Sequence, residues 1–296
     1  MRNHVRFPRV QIRVRLTDQG ESRTITNKPI GRAKGLHLLF ATGKRPNRAA
    51  IREFVSAHRT LSLSHDPFDD TPVQLVSSNG EPIGDGVGAQ VGVDDQLWVE
   101  LLLDGLAFDL FGMAPGLASK NPEIGYRFDL DQSLGSMRLE GMHLVPGQHL
   151  AGGASSMPVM RALLSLARDF IHHFDALEAV VWEPAGSAIG RRYFESVITA
   201  WLDGGAFPAL GLTAFRETHD GALESVGLDF WIGQELRIEP PLSTDRVEAT
   251  RLGVRLINQL IIIGGLEESE RVIAPDGNPL VMRPSRNRRY VRVARE

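Results

Sequence analysis

Two histidines on either side of a Pro-Gly turn, in "GMHLVPGQHLAGGASSMP", are the residues best placed by type and spacing to do chemistry. His143 and His149 carry imidazoles, which change charge near neutrality and suit acid–base work or metal ligation. The small-residue loop behind them runs into a helix start, where free amides with Ser155 and Ser156 favour an anion. The segment nevertheless lacks the lysine and glycine spacing of a phosphate loop or dinucleotide fingerprint. A domain connection, with Ser156 capping the next helix, explains the same residues and is the preferred reading.

The other polar clusters have simpler explanations. His172 and His173 close an amphipathic helix, where they complement the negative end of its dipole and lie in reach of Asp169. In "EPAGSAIGRR", Ser187 lacks the glycines of a nucleophile elbow, and Arg191 and Arg192 open a helix as candidate anion ligands or solvated charges. "SHDPFDD" gathers His65, Asp66, Asp69 and Asp70 without the twelve-residue calcium pattern, so it reads as a surface turn. "PIGDGVGAQVG" has the wrong spacing for a phosphate cradle and reads as a mobile loop. Near the C-terminus, Arg286, Arg288, Arg289 and Tyr290 combine charge with a stacking ring, as single-stranded nucleic-acid binders do. The alternative is a salt-bridged edge strand, and it is preferred. No metal ligand set is assigned and no cofactor is expected.

The elements that must position these residues follow from apolar spacing. "PNRAAIREFVSAH" places Ile51, Phe54, Val55 and His58 on one side of a short helix. "QLWVELLLDGLAFDLFG" predicts a hairpin turned at Asp104-Gly105. "PVMRALLSLARDFIHHF" and "STDRVEATRLGVRLINQLIIIGG" predict helices, the second capped by Ser243 or Thr244 and stopped at Gly264-Gly265. Strands are expected at "QIRVRL", "GLHLLFA", "LEAVVW" and the alternating tail around Tyr290. The fold class is α+β, with antiparallel or mixed sheets covered by helices. From Leu177 to about Met282 the order strand, helix, strand, strand, helix, strand is ferredoxin-like (βαββαβ). The division is expected at 1–152 and 153–296, with two similar halves or one continuous body as the alternatives.

With 296 residues, 42% apolar and 23% charged, the chain is large enough for one or two real cores. It has no cysteine, which excludes disulfides, thiolate nucleophiles and iron–sulfur ligation. The net charge of −3 conceals opposed blocks: residues 1–60 hold 14 Lys and Arg against 3 acids, and residues 61–100 hold none against 8. No leader or membrane span is read, so a cytoplasmic protein with no membrane partner is expected.

"AVVWEPAGSAIGRRYFESVITAWLDGGAFPALGLTAF", followed by "GLDFWIGQELRIEPP" and a helix, resembles an uncharacterised bacterial family, the domain of unknown function 4261. The resemblance covers mainly the second half and implies no reaction or site residue. The expected function is a non-enzymatic protein-binding or accessory module, with enzyme status left open and a homodimer allowed. The alternatives are a hydrolase or transferase with an anion pocket at His143 and His149, and nucleic-acid binding through basic terminal strands.

Overall fold

The computed structural model describes residues 11–13, 24–26, 34–67, 73–77, 89–92, 96–130, 138–274 and 276–296. In chain order the strands and helices begin with β1 (Gln11–Arg13), β2 (Thr24–Thr26), β3 (Leu36–Ala41), α1 (Arg48–Ser56) and β4 (Leu61–His65). Then come β5 (Val73–Val76), β6 (Ala89–Gly92), β7 (Leu97–Leu103), β8 (Leu106–Met113), β9 (Tyr126–Phe128) and β10 (Leu139–Pro146). The second half holds α2 (Met157–His173), β11 (Leu177–Trp182), β12 (Ser187–Gly190), α3 (Arg191–Leu202), α4 (Ala209–Leu212), β13 (Ala214–Glu217) and β14 (Leu223–Val226). It ends with α5 (Asp229–Ile232), β15 (Glu235–Ile238), α6 (Arg246–Ile263), β16 (Glu270–Ile273), β17 (Pro279–Pro284) and β18 (Tyr290–Arg295).

The architecture is α+β, with two mixed sheets. One has eight strands in the order β4-β7-β8-β10-β3-β11-β12-β9 and the other six in the order β13-β14-β15-β18-β17-β16. β1 with β2 and β5 with β6 form separate two-stranded pairs. The chain divides into two compact units, one built mainly from Leu39–Asn121 and Arg138–Ala154, the other from Lys34–Leu38 and Ser155–Glu296.

In the first unit, β7 and β8 form the predicted hairpin. Asp104 and Gly105 both take positive φ, 49° and 83°, as a tight primed turn requires. Trp98 on β7 lies opposite Phe111 on β8, and Phe111 lies opposite His143 on β10. His65 on β4 pairs in register with Glu100, and its ring lies 5.1 Å from that of Trp98. Helix α1 buries Ile51 and Phe54 and is capped by the Asn47 side chain, which accepts from the Ala50 amide.

In the second unit, α2 buries the apolar stripe predicted for it, including Leu163, Leu164, Phe170 and Ile171. Helices α2 and α3 cap each other with guanidinium groups. Arg161 of α2 donates to the Leu202 carbonyl at 2.7 Å and lies 4.8 Å above the Trp201 ring. Arg191, the first residue of α3, donates to the Ile171 and Asp175 carbonyls at 2.9 and 2.6 Å. Each cation thereby answers the unpaired carbonyls and negative dipole of a helix end.

The single ferredoxin-like sheet expected from Leu177 onward is not formed. The strand β12, "SAIG", lies outside the expected elements; it turns back antiparallel on β11 before α3 begins. Both therefore lie in the eight-stranded sheet, and the six-stranded sheet starts only at β13. Helix α6 covers β14 and β15 of that sheet. Its close approach needs Gly253, where a Cβ would come within 2.6 Å of the Phe215 ring. The N-cap of α6 is Asp245 rather than Ser243 or Thr244: its side chain accepts from the Val247 and Glu248 amides, while Ser243 Oγ donates to the Gly221 carbonyl. The tail strand β18 is also no edge strand, because it pairs with β15 on one side and β17 on the other.

Candidate metal centre

The strands β10, β3 and β11 are neighbours in the eight-stranded sheet. His37 is the one polar residue of the β3 run "LHLLFA" and is 4% exposed. An imidazole so buried costs desolvation of its ring nitrogens unless they are bonded. At the end of β11 the chain tightens into a 3₁₀ turn, Glu183–Ala185, with Pro184 early in it and Gly186 closing it in the left-handed region. This turn brings Glu183 back onto the residues just before β3. Its Oε2 accepts from the Gly35 amide at 2.8 Å, and its own amide donates to the Gly35 carbonyl at 3.3 Å. The second carboxylate oxygen, Oε1, then meets His37 Nε2 at 2.9 Å.

His143, on β10, completes the group. His37, His143 and Glu183 each offer one ligand atom, and these atoms all lie within 4.8 Å of one another. His37 is buried, and His143 and Glu183 are half-buried. Two imidazole nitrogens and one carboxylate oxygen are a donor set of catalytic zinc sites, which keep a fourth position for water. The same set serves non-haem iron. Bonds of about 2.0–2.2 Å to a tetrahedral zinc place ligand atoms roughly 3.3–3.6 Å apart, so the group needs adjustments of about 1 Å to close on an ion. The Gly35 contacts hold Glu183 as an outer-shell partner holds a ligating carboxylate.

Of the residues singled out in the sequence, only His143 enters this group. His149 lies exposed in the 3₁₀ segment Gln148–Gly153, and Ser155 and Ser156 are exposed, with Ser156 at the N-cap of α2 but making no side-chain cap. Arg191 is occupied in capping α2, and Arg192 is exposed. His172 Nε2 meets Glu195 Oε1 at 2.9 Å, in a pair open to water. Asp66 is held by Arg48 and Arg52 of α1 at 2.7 and 3.1 Å, which gives it an ion-pair role, while Asp69 and Asp70 lie outside the described residues. The glycine loop before β6 lies largely outside them too, as do the side chains of β1. Arg286, Arg288 and Arg289 are exposed between β17 and β18, and Tyr290 opens β18 half-buried.

No sequence motif marks His37 or Glu183. The available signals were a lone histidine inside a continuous apolar strand and a carboxylate directly after another. The two are 146 residues apart, so no local spacing joins them.

One further carboxyl, half-buried, stands apart from the group. Glu235 accepts from the Gly227 and Leu228 amides at 2.7 and 3.2 Å and from Ser225 Oγ. Burial outweighs these donors, and with Asp229 adjacent its carboxyl is pushed up to about 7.

No helix among the described residues is long and apolar enough to cross a membrane. No family model, no curated protein and no solved structure matches the chain.

Proposed function

We propose that the protein binds one divalent transition-metal ion, zinc being the best fit, through His37, His143 and Glu183. The observation that carries this reading is the convergence of their three ligand atoms within 4.8 Å, one of the imidazoles being buried. Nitrogen and carboxylate donors in that ratio suit zinc or iron better than calcium or magnesium, which take oxygen ligands. These ligands bind a metal in their deprotonated forms, so uptake competes with protons and weakens in acid. With three protein ligands, the ion keeps a position for water and lowers its proton affinity towards neutrality. Such a site suits hydrolysis of an ester, amide or phosphoester.

The test is zinc titration of the chelator-treated full chain by calorimetry, with proton release read in two buffers of different ionisation enthalpy. One equivalent is expected, and His37→Ala, His143→Ala and Glu183→Gln each weaken binding by more than about tenfold, the scale set by outer-shell changes alone. Folded protein that takes up no zinc, or a His143→Ala variant that binds as the parent does, removes the proposal.

A further inference from the structure

A second surface, in the six-stranded sheet, carries chemistry the metal reading does not use. On the face away from α6, one row crosses five strands: Arg216, Glu224, Arg237, Arg292 and Arg283 lie in successive register. The arginines at one end of the row are answered. Arg216 meets Glu224 at 2.9 Å, Arg237 meets Glu224 and Glu239 at 2.6 and 3.0 Å as well as Asp220, and Arg292 meets Glu239 at 2.5 Å.

Beyond Arg292, the β17–β18 hairpin differs. Arg283, Arg286, Arg288 and Arg289 are all exposed, and among the described residues none of the four has a carboxylate partner. Arg283 lies directly across from Arg292, a like-charge pairing that opposes folding rather than helping it. The loop between the strands is closed without any arginine side chain. Ser285 and Tyr290 exchange backbone and hydroxyl hydrogen bonds at 2.8 and 3.0 Å, and Asn287 Oδ1 accepts from Ser285 Oγ and the Arg289 amide at 2.8 and 3.2 Å. Arg288 occupies the left-handed position of the loop, φ 56°, where asparagine or glycine would fit with less strain. The arginines thus contribute nothing visible to the hairpin, while the hairpin holds their charges together on an ordered loop.

We infer that this hairpin docks on the phosphate backbone of a nucleic acid, its four unanswered arginines each neutralising a phosphate. Guanidinium forks match phosphate oxygens in pairs, and several dispersed cations suit a chain of phosphates better than one small anion. Tyr290, at the base of the loop, offers a ring on which an unpaired base can stack. Contact with phosphates alone carries no sequence information, so binding is independent of sequence.

The experiment is fluorescence anisotropy of the full chain with labelled single- and double-stranded oligonucleotides over a range of salt. Four neutralised phosphates give a slope of log affinity against log salt of about −3 to −4 on duplex. The variant Arg286→Gln/Arg288→Asn/Arg289→Gln is expected to lose at least about tenfold in affinity and to reduce the slope by two to three, roughly one per phosphate contact removed. Arg251→Gln/Arg255→Gln on α6, which covers the other face, is expected to leave both unchanged. No binding at low salt, equal losses in the two variants, or binding to anionic lipid vesicles but not to nucleic acid overturns the inference. Loss of zinc binding at the metal centre leaves it standing.

Discussion

Two histidine–glutamate pairs in the second unit have the same length and opposite surroundings. His37 meets Glu183 at 2.9 Å, with side chains 5% and 24% exposed; His172 meets Glu195 at 2.9 Å, with side chains 49% and 43% exposed. The first pair joins a residue inside a strand to one in a tight turn clamped to Gly35 by two backbone contacts. The second joins the last turn of α2 to an outward position on α3, where both side chains are free to exchange their contact for water. Distance alone therefore says little about what such a pair does. Burial and backbone anchoring decide whether the carboxylate orients the imidazole or merely meets it.

The largest expected effect falls on the buried pair. Glu183→Ala removes the acceptor of the Gly35 amide and the partner of a buried imidazole, each worth about 1–3 kcal/mol when left unsatisfied. A loss of roughly 2–4 kcal/mol in urea unfolding is expected. A change below about 1 kcal/mol would mean that water reaches the turn and that the pair is no more anchored than its counterpart on the helices.

Glu235 sharpens the comparison, because it is a backbone-anchored carboxyl with no base beside it. Its folded carboxyl is raised to about 7, above the ordinary value of 4.5, so between these pH values the folded chain holds a proton the unfolded chain has released. Stability from this group is complete below about 4.5 and declines as pH rises towards 7, by an amount on the order of 3 kcal/mol. Thermal unfolding of the parent and Glu235→Gln across pH 4–8 reads this directly. The variant is expected to have the flatter profile, and superimposable profiles would show that Glu235 ionises normally.

The elements holding the anchored pair were legible, and the pair itself was not. Helix α2 showed in its apolar period, and the β7–β8 turn in Asp104-Gly105, because both signals are local. "LHLLFA" read as a buried strand for the same reason, and that reading absorbed His37 into the pattern. Glu183 lay in a turn whose importance depends on what it folds back onto, which no window of neighbouring residues contains. "SAIG", four residues rich in small side chains, has no alternation to detect, and without it β11 falls to the wrong sheet. In the sequence His143 stands near His149, six positions away, whereas its partners in the structure are His37 and Glu183. The arginine-rich tail read correctly as a strand, but its place between β15 and β17 depends on a parallel pairing that periodicity does not encode.

The smallest effect is expected at the exposed pair, and its smallness is the point. Glu195→Gln keeps the length of the side chain and a carbonyl oxygen in reach of His172, and it removes only the charge. An ion pair so open to solvent contributes between zero and about 1 kcal/mol, and salt screens most of that. Unfolding free energy is therefore expected to change by less than about 0.5 kcal/mol, with no further change at high salt. A larger loss would have to come from the contact between α2 and α3, since the two reciprocal arginine caps are untouched by the substitution. Combining Glu195→Gln with His172→Gln separates the cases. A coupling near zero assigns the loss to helix packing, and a coupling above about 1 kcal/mol makes the exposed pair equal to the buried one.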